Sequence, residues 1–192
     1  MAEAVVKGIQ STGVDVTATH MCGQGETTGG GNASAARIGQ RELREIHLPP
    51  VKACVDAGVS SFMAAYNEID GVYCHGNPWL LTELLRDEYG FEGFVMSDGC
   101  AIDQLDAVTG DRTASGALAL NAGVDMGLWD TGFQKLEEVV QRGLVEEARI
   151  EETDSLKITH EKIASHLGTA REVVTRMLRY FQSDGMVKLT RG

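Results

Sequence analysis

Four short apolar runs alternate with helical patterns over most of the chain, and this alternation restricts the fold more than any other feature. The runs are VDVTATH (14–20), SFMAAY (61–66), GFVMS (93–97) and VDMGL (124–128). Each is bounded by Gly, Asp, Ser or Asn and is too short for a buried helix, so each reads as a buried parallel strand. Helical patterns cover residues 2–10, 41–58, 78–89, 113–122 and 133–143. Within the second, Pro49 and Pro50 are expected to break or kink the helix. Asn77 is expected to cap the third, with Pro78 at its first position and Gly90 as its stop. Residues 22–40 and the segment NEIDGVYCHG read as loops. The order βαβαβαβα predicts an α/β fold, a parallel sheet covered by helices. It is either doubly wound or part of a TIM-type (β/α) barrel. Both put functional residues at the C-terminal ends of strands. Here those ends offer His20, Tyr66, Asp98, and Asp125 or Asp130.

Charge divides the chain in two. From Ser155 onward there are seven Lys or Arg and three Asp or Glu, a net of +4, against −15 for residues 1–154. Twenty of the 23 glycines and all three prolines also precede Ser155. This shift predicts two modules: residues 1–150, a linker at 151–155, and residues 156–192. An acidic body does not attract nucleic acid through its net field, whereas a small basic tail can. No run of apolar residues is long enough for a membrane span. Residues 1–10 lack the pattern of a signal peptide, and a cytoplasmic location is expected. Cys22, Cys54, Cys74 and Cys100 are widely spaced without a C-x-x-C pair, which reads as reduced thiols; no metal or cofactor is called for.

The stretch RELREIHLPPVKACVDAGVSSFMAAYNEIDGVYCHGNPWLLTELLRDEYGFEGFVMSD, with ALALNAGVDMGLWD after it, resembles the barrel domain of glycoside hydrolase family 3, in its β-glucosidase branch. That pattern has a helix ending L-P-P, a strand M-x-A-Y-N, a loop D-G-x-P-x-H-x-N, and then F-x-G-x-V-x-S-D-W. The resemblance implies retaining hydrolysis of a β-glucoside or related oligosaccharide, in which one carboxylate attacks the anomeric carbon and a second serves as acid and base. By position it makes Asp98 the nucleophile, Tyr66 the tyrosine beside it, Met63 a residue lining the sugar site, and His20 the histidine of the family's K-H-F strand end.

The departures have chemical content. The family's Lys-His pair is Thr19-His20, the arginine of its G-G-R-N is Gly31, and the tryptophan after its nucleophile is Gly99, so a sugar-stacking platform is expected to be lost. About four βα units are present, half of a barrel, and the α/β domain that carries the general acid in the family does not follow. A weak or absent activity is therefore expected, as is pairing of two copies into a homodimer that completes the barrel. Glu26, in the 22–40 loop, is the local carboxylate that remains as a candidate acid.

LKITHEKIASHLGTAREVVTRMLRYFQSDGMVKLTRG (156–192) carries two short helical patterns joined at Gly168, a helix-turn-helix. It resembles the winged-helix DNA-binding end of the Crp/Fnr regulators, with the pattern I-T-x-x-x-I-A-x-x-L-G-x-[ST]-R-E-x-V-x-R-x-L. The resemblance implies that Arg171, Glu172 and Arg176 face base edges in the major groove and that Thr159 and His160 lie near phosphates. The alternative to a glycosidase is thus a DNA-binding regulator acting through this tail. The pairing of two unrelated modules also suggests a fusion of fragments without function.

Overall fold

The computed structural model describes residues 1–135 together with Thr175, Leu178, Arg179, Gln182 and Lys188. Thr159, His160, Arg171, Glu172 and Arg176, and the greater part of the helix expected over 133–143, lie outside the described residues. The 132–135 stretch is helical, as are Thr175, Leu178, Arg179 and Gln182, and Leu178 is buried.

The chain opens with α1 (Ala2–Gln10), which turns at Gly13 into β1 (Thr17–Met21). After β1, the 22–40 region is more ordered than a loop. Two 3-10 turns, Gln24–Glu26 and Thr28–Gly30, lead to the short strand β2 (Ala35–Ala36).

A continuous helical stretch follows: α2 (Gln40–Glu42), a π-type segment Leu43–His47, and α3 (Leu48–Asp56). The expected break at the prolines does not occur. Pro49 and Pro50 sit in the first turn of α3, and Leu48 N–H reaches back five residues to the Leu43 carbonyl. The wider turn also explains the burial pattern. Leu43 and Leu48 are both buried although five residues apart, which would place them roughly 140° apart on a regular α-helix. The π-type insertion rotates them back onto one face.

β3 (Ser61–Ala64) is followed by β4 (Glu68–Ile69) and β5 (Val72–Tyr73), where the sequence predicts only a turn-rich loop. The D-G pair at 70–71 was the missed signal. Both residues have positive φ, 48° and 85°, the backbone of a two-residue hairpin turn. β4 also pairs in parallel with β2, making a small sheet of order β2-β4-β5.

The helix Trp79–Glu88 is also π-type, and its inner face of Leu80, Leu81, Leu84 and Leu85 is fully buried. As expected from sequence, Leu80 N–H donates to Asn77 Oδ1 at 3.1 Å and Gly90, at φ 74°, ends the turn. β6 (Phe94–Met96) comes next. A side chain at Gly93 would place its Cβ 2.2 Å from the Ser60 carbonyl oxygen, so only glycine lets the chain enter β6 this close to β3.

Between β6 and the fourth expected strand the sequence predicts one helix, and the structure has three: α4 (Ala101–Gln104), α5 (Asp106–Thr109) and α6 (Arg112–Ala122). The fourth expected strand is reduced to one parallel bridge, Met96 to Met126. Asp125 explains the shortening. Its carboxylate takes the Val95 N–H at 2.8 Å, while the Asp125 and Met126 N–H groups both turn to the Val95 carbonyl. A side chain thus replaces a rung of the ladder.

The main sheet is parallel throughout, in the order β1-β3-β6. Among the described residues each strand of this sheet lies beside the one before it in the chain, with no reversal of the kind a doubly wound sheet has. Phe62, Ala64 and Val95 point to the helices and are buried, and Phe62 meets Phe91 edge to face with ring centroids 5.1 Å apart. The opposite face carries Met63 and Met96, half-buried, and Phe94, 41% exposed; Met126, at the edge, is 42% exposed.

Candidate active site

The strand order decides which side chains can meet. β1, β3 and β6 are neighbours, so their C-terminal ends lie within about 10 Å of one another. Each contributes one residue of the expected site. His20 is on β1, Tyr66 is two residues past β3, and Asp98 is two residues past β6. His20 Nε2 lies 3.3 Å from Asp98 Oδ2, bridging over the end of β3. The Tyr66 hydroxyl donates to the Gly99 carbonyl, next to Asp98. Burial, and then the negative Asp98 beside it, push the Tyr66 phenol above its ordinary range, which keeps its proton on. Met63 lies on the face of β3 away from the helices, in register with Met96.

The Asp98 carboxylate is aimed by its own backbone. Oδ1 accepts the Gly99 N–H at 2.8 Å, leaving Oδ2 toward His20. The Asp98 N–H in turn donates to His75 Nε2 at 3.1 Å. Only an unprotonated Nε2 can accept, so His75 is neutral with its hydrogen on Nδ1. His75 is 1% exposed, and burial pulls its pKa from 6.5 down to about 4, against the opposing effect of a hydrogen bond with the Ala65 backbone. It links the end of β3 to the end of β6. His75 stands within the quoted loop motif, but nothing in the sequence shows that it touches Asp98.

The other two rim carboxylates have different work. Asp125 is not part of the cluster. It pairs with Arg86 at 2.5 Å and holds Val95 N–H, while Arg86 also donates to the Gly93 carbonyl at 3.0 Å. Asp130 is buried beneath the rim. It accepts from the Ser97 hydroxyl, from Leu128 N–H at 2.9 Å, from Ile102 N–H at 2.8 Å and from Asp103 N–H at 3.3 Å. It therefore clamps the loop that follows Asp98 to the loop that follows Met126. Glu26 is exposed in the first 3-10 turn.

A cavity of about 450 Å³ lies behind β1, between that strand, α1 and α3, lined by Ala18, His47, Val51, Cys54 and Phe62 among others. Of the residues in the Asp98 cluster, only His20 lines it. Among the described residues no group of three or more His, Cys, Asp or Glu is arranged to hold a metal ion, and no helix is long and apolar enough to cross a membrane.

Parallel strands in sequence order, with a carboxylate at a strand end, define a fold shared with known β-glucosidases. A β-glucosidase from Erythrobacter marinus superposes with a TM-score of 0.72 at 30% identity, over 92% of this chain and 22% of that one. Residues 1–158 match the glycosyl hydrolase family 3 N-terminal domain, and the chain belongs to that family. A β-xylosidase of Formosa agariphila is 41% identical over 140 residues, 67% of this chain and 19% of the relative. A β-glucosidase of Rhizobium radiobacter is 38% identical over 148 residues, 75% of this chain and 17% of the relative. The chain thus spans less than a fifth of the length of these curated relatives. Residues 136–192 match a Crp-like helix-turn-helix domain, overlapping the first match over 136–158.

Proposed function

We propose that the chain carries the nucleophile half of a retaining β-glycosidase site, on a partial (β/α) barrel of about four units, with Asp98 as the attacking carboxylate. The observation that carries this reading is the Asp98 carboxylate itself. It sits at a strand end, one oxygen held by the Gly99 N–H and the other facing His20. Such a group is fixed in direction and part-exposed, as a nucleophile must be. Relatives named as β-glucosidases and β-xylosidases make the β-linked pyranosides the substrate class. His20, Tyr66 and Met63 would line the sugar.

The test is covalent trapping with 2,4-dinitrophenyl 2-deoxy-2-fluoro-β-glucoside. Asp98 Oδ forms a bond to C1 as the C1–O bond breaks, and dinitrophenolate leaves without needing a proton, so the probe reads the nucleophile alone. The expected result is one glycosyl adduct on the peptide containing Asp98, absent in Asp98→Ala. An unmodified chain after prolonged incubation would overturn the proposal.

The match of residues 136–192 to a Crp-like helix-turn-helix favours a second reading, DNA binding by the tail through Arg171, Glu172 and Arg176. Retardation of random-sequence duplex DNA is then expected to weaken steeply between 50 and 200 mM salt, on the order of tenfold or more, as phosphate contacts release counterions. Binding indifferent to salt would exclude it.

A further inference from the structure

Trp129 is 78% exposed, yet its surroundings hold it in place. Its φ is 64°, a left-handed backbone that a bulky residue adopts only when its neighbours impose it. Those neighbours are visible. Leu128 N–H is held by Ser97 Oγ at 2.7 Å and by Asp130 Oδ2 at 2.9 Å, and the Leu128 carbonyl takes Cys100 N–H at 2.8 Å. Asp130, on the other side, is anchored at Ile102 N–H. The backbone is therefore clamped before and after the indole, while the ring faces water.

The ring lies over Gly99. A Cβ at Gly99 would come within 3.3 and 3.4 Å of Trp129 Cε3 and Cζ3, and 3.4 Å from the Tyr66 hydroxyl oxygen. The family resemblance implies that glycine at this position removes an aromatic platform. The structure instead shows that the glycine makes room for one, supplied from the next strand end. A rigid, exposed, apolar ring beside a carboxylate has the chemistry to receive a flat ligand with an apolar C–H face and a hydroxylated rim. A pyranose ring is such a ligand.

We infer that Trp129 is the stacking platform for a pyranose ring of a β-linked oligosaccharide bound at Asp98, and so a specificity-determining residue. This inference rests on the β-glycoside reading of the Asp98 site. It predicts that a chain bearing the glycine–tryptophan exchange still grips sugar next to its nucleophile.

The chain has two tryptophans, Trp79 and Trp129, so Trp79→Phe leaves Trp129 as the sole indole reporter. Titration with laminaribiose is expected to shift the emission of this variant saturably, with sorbitol as the inert control. In calorimetry on the otherwise unaltered chain, Trp129→Ala is expected to weaken laminaribiose about tenfold. Trp129→Phe, which keeps an apolar ring and is less disruptive to folding, is expected to recover most of that loss. Equal affinity in the parent chain and in both variants would overturn the role of Trp129 while leaving the glycoside site standing. Absence of laminaribiose binding in every chain, together with absence of the fluoroglucosyl adduct, would overturn both. Binding without any change in Trp129 emission would place the sugar elsewhere and also overturn the inference.

Discussion

Asp130→Ala is expected to lower the free energy of unfolding by about 4 kcal/mol, read as a fall in the urea midpoint at an unchanged slope. The carboxylate is 4% exposed and receives the Leu128, Ile102 and Asp103 N–H groups and the Ser97 hydroxyl. Alanine leaves the Ile102 and Asp103 N–H groups and the Ser97 hydroxyl without this acceptor, while Leu128 N–H keeps Ser97 Oγ, and each orphan costs about 1–3 kcal/mol before any relaxation. Asp130→Asn keeps one acceptor oxygen and is expected to lose about half as much. Burial raises the Asp130 carboxyl above its usual 3.8, with the Ser97 hydroxyl and the Asp103 and Ile102 backbones pulling the other way. The folded chain therefore binds this proton more readily than the unfolded one, so the cost of burying the charge shrinks as pH falls through that range. A loss below about 1 kcal/mol in Asp130→Ala would show that the clamp is not needed to hold the two loops.

The second large effect has the opposite sign with pH. His75 is neutral in the folded chain, with its pKa lowered from 6.5 to about 4 chiefly by burial. The unfolded chain takes up this proton near 6.5. His75 therefore contributes its full stability above that value and loses it as pH falls through the folded pKa. The span corresponds to roughly 3 kcal/mol between neutral pH and pH 4. His75→Gln keeps an acceptor for Asp98 N–H and a donor for the Ala65 carbonyl but does not titrate. Urea unfolding of both chains at pH 7 and pH 4.5 is the measurement. The other titrating groups are common to the two, so the difference isolates His75. A glutamine variant with the same acid sensitivity as the parent would refute the assignment. Loss of the neutral imidazole also releases the Asp98 N–H, so acid is expected to loosen the candidate nucleophile before the whole fold gives way.

Much of the architecture was legible in the residues. The apolar runs at 61–66 and 93–97 are β3 and β6, and Asn77, Pro78 and Gly90 delimit their helix as capping chemistry requires. The misses have physical causes. A hairpin of two-residue strands leaves no period to detect, so β4 and β5 were visible only through the D-G turn. The prolines at 49–50 break an ordinary helix interior, but a π-type turn placed them in a first turn instead. At 124–128 the apolar run is strand-like, yet the Asp125 side chain takes over the hydrogen bond that a longer strand would have used.

The candidate site divides along the same line. Short-range pattern determined that this is a parallel α/β chain and that Asp98 would stand at a strand end, because apolar period and the residues that end a strand are local properties. The order β1-β3-β6 was decided by tertiary structure, and with it the meeting of His20 and Asp98, residues 78 positions apart in the chain. So were the buried His75 under Asp98, the separation of Asp125 from Asp130, and the Trp129 ring over Gly99. Each of these depends on which strand ends become neighbours and on how the loops between them are clamped. Those contacts come from packing in three dimensions, and no periodicity along one dimension encodes them.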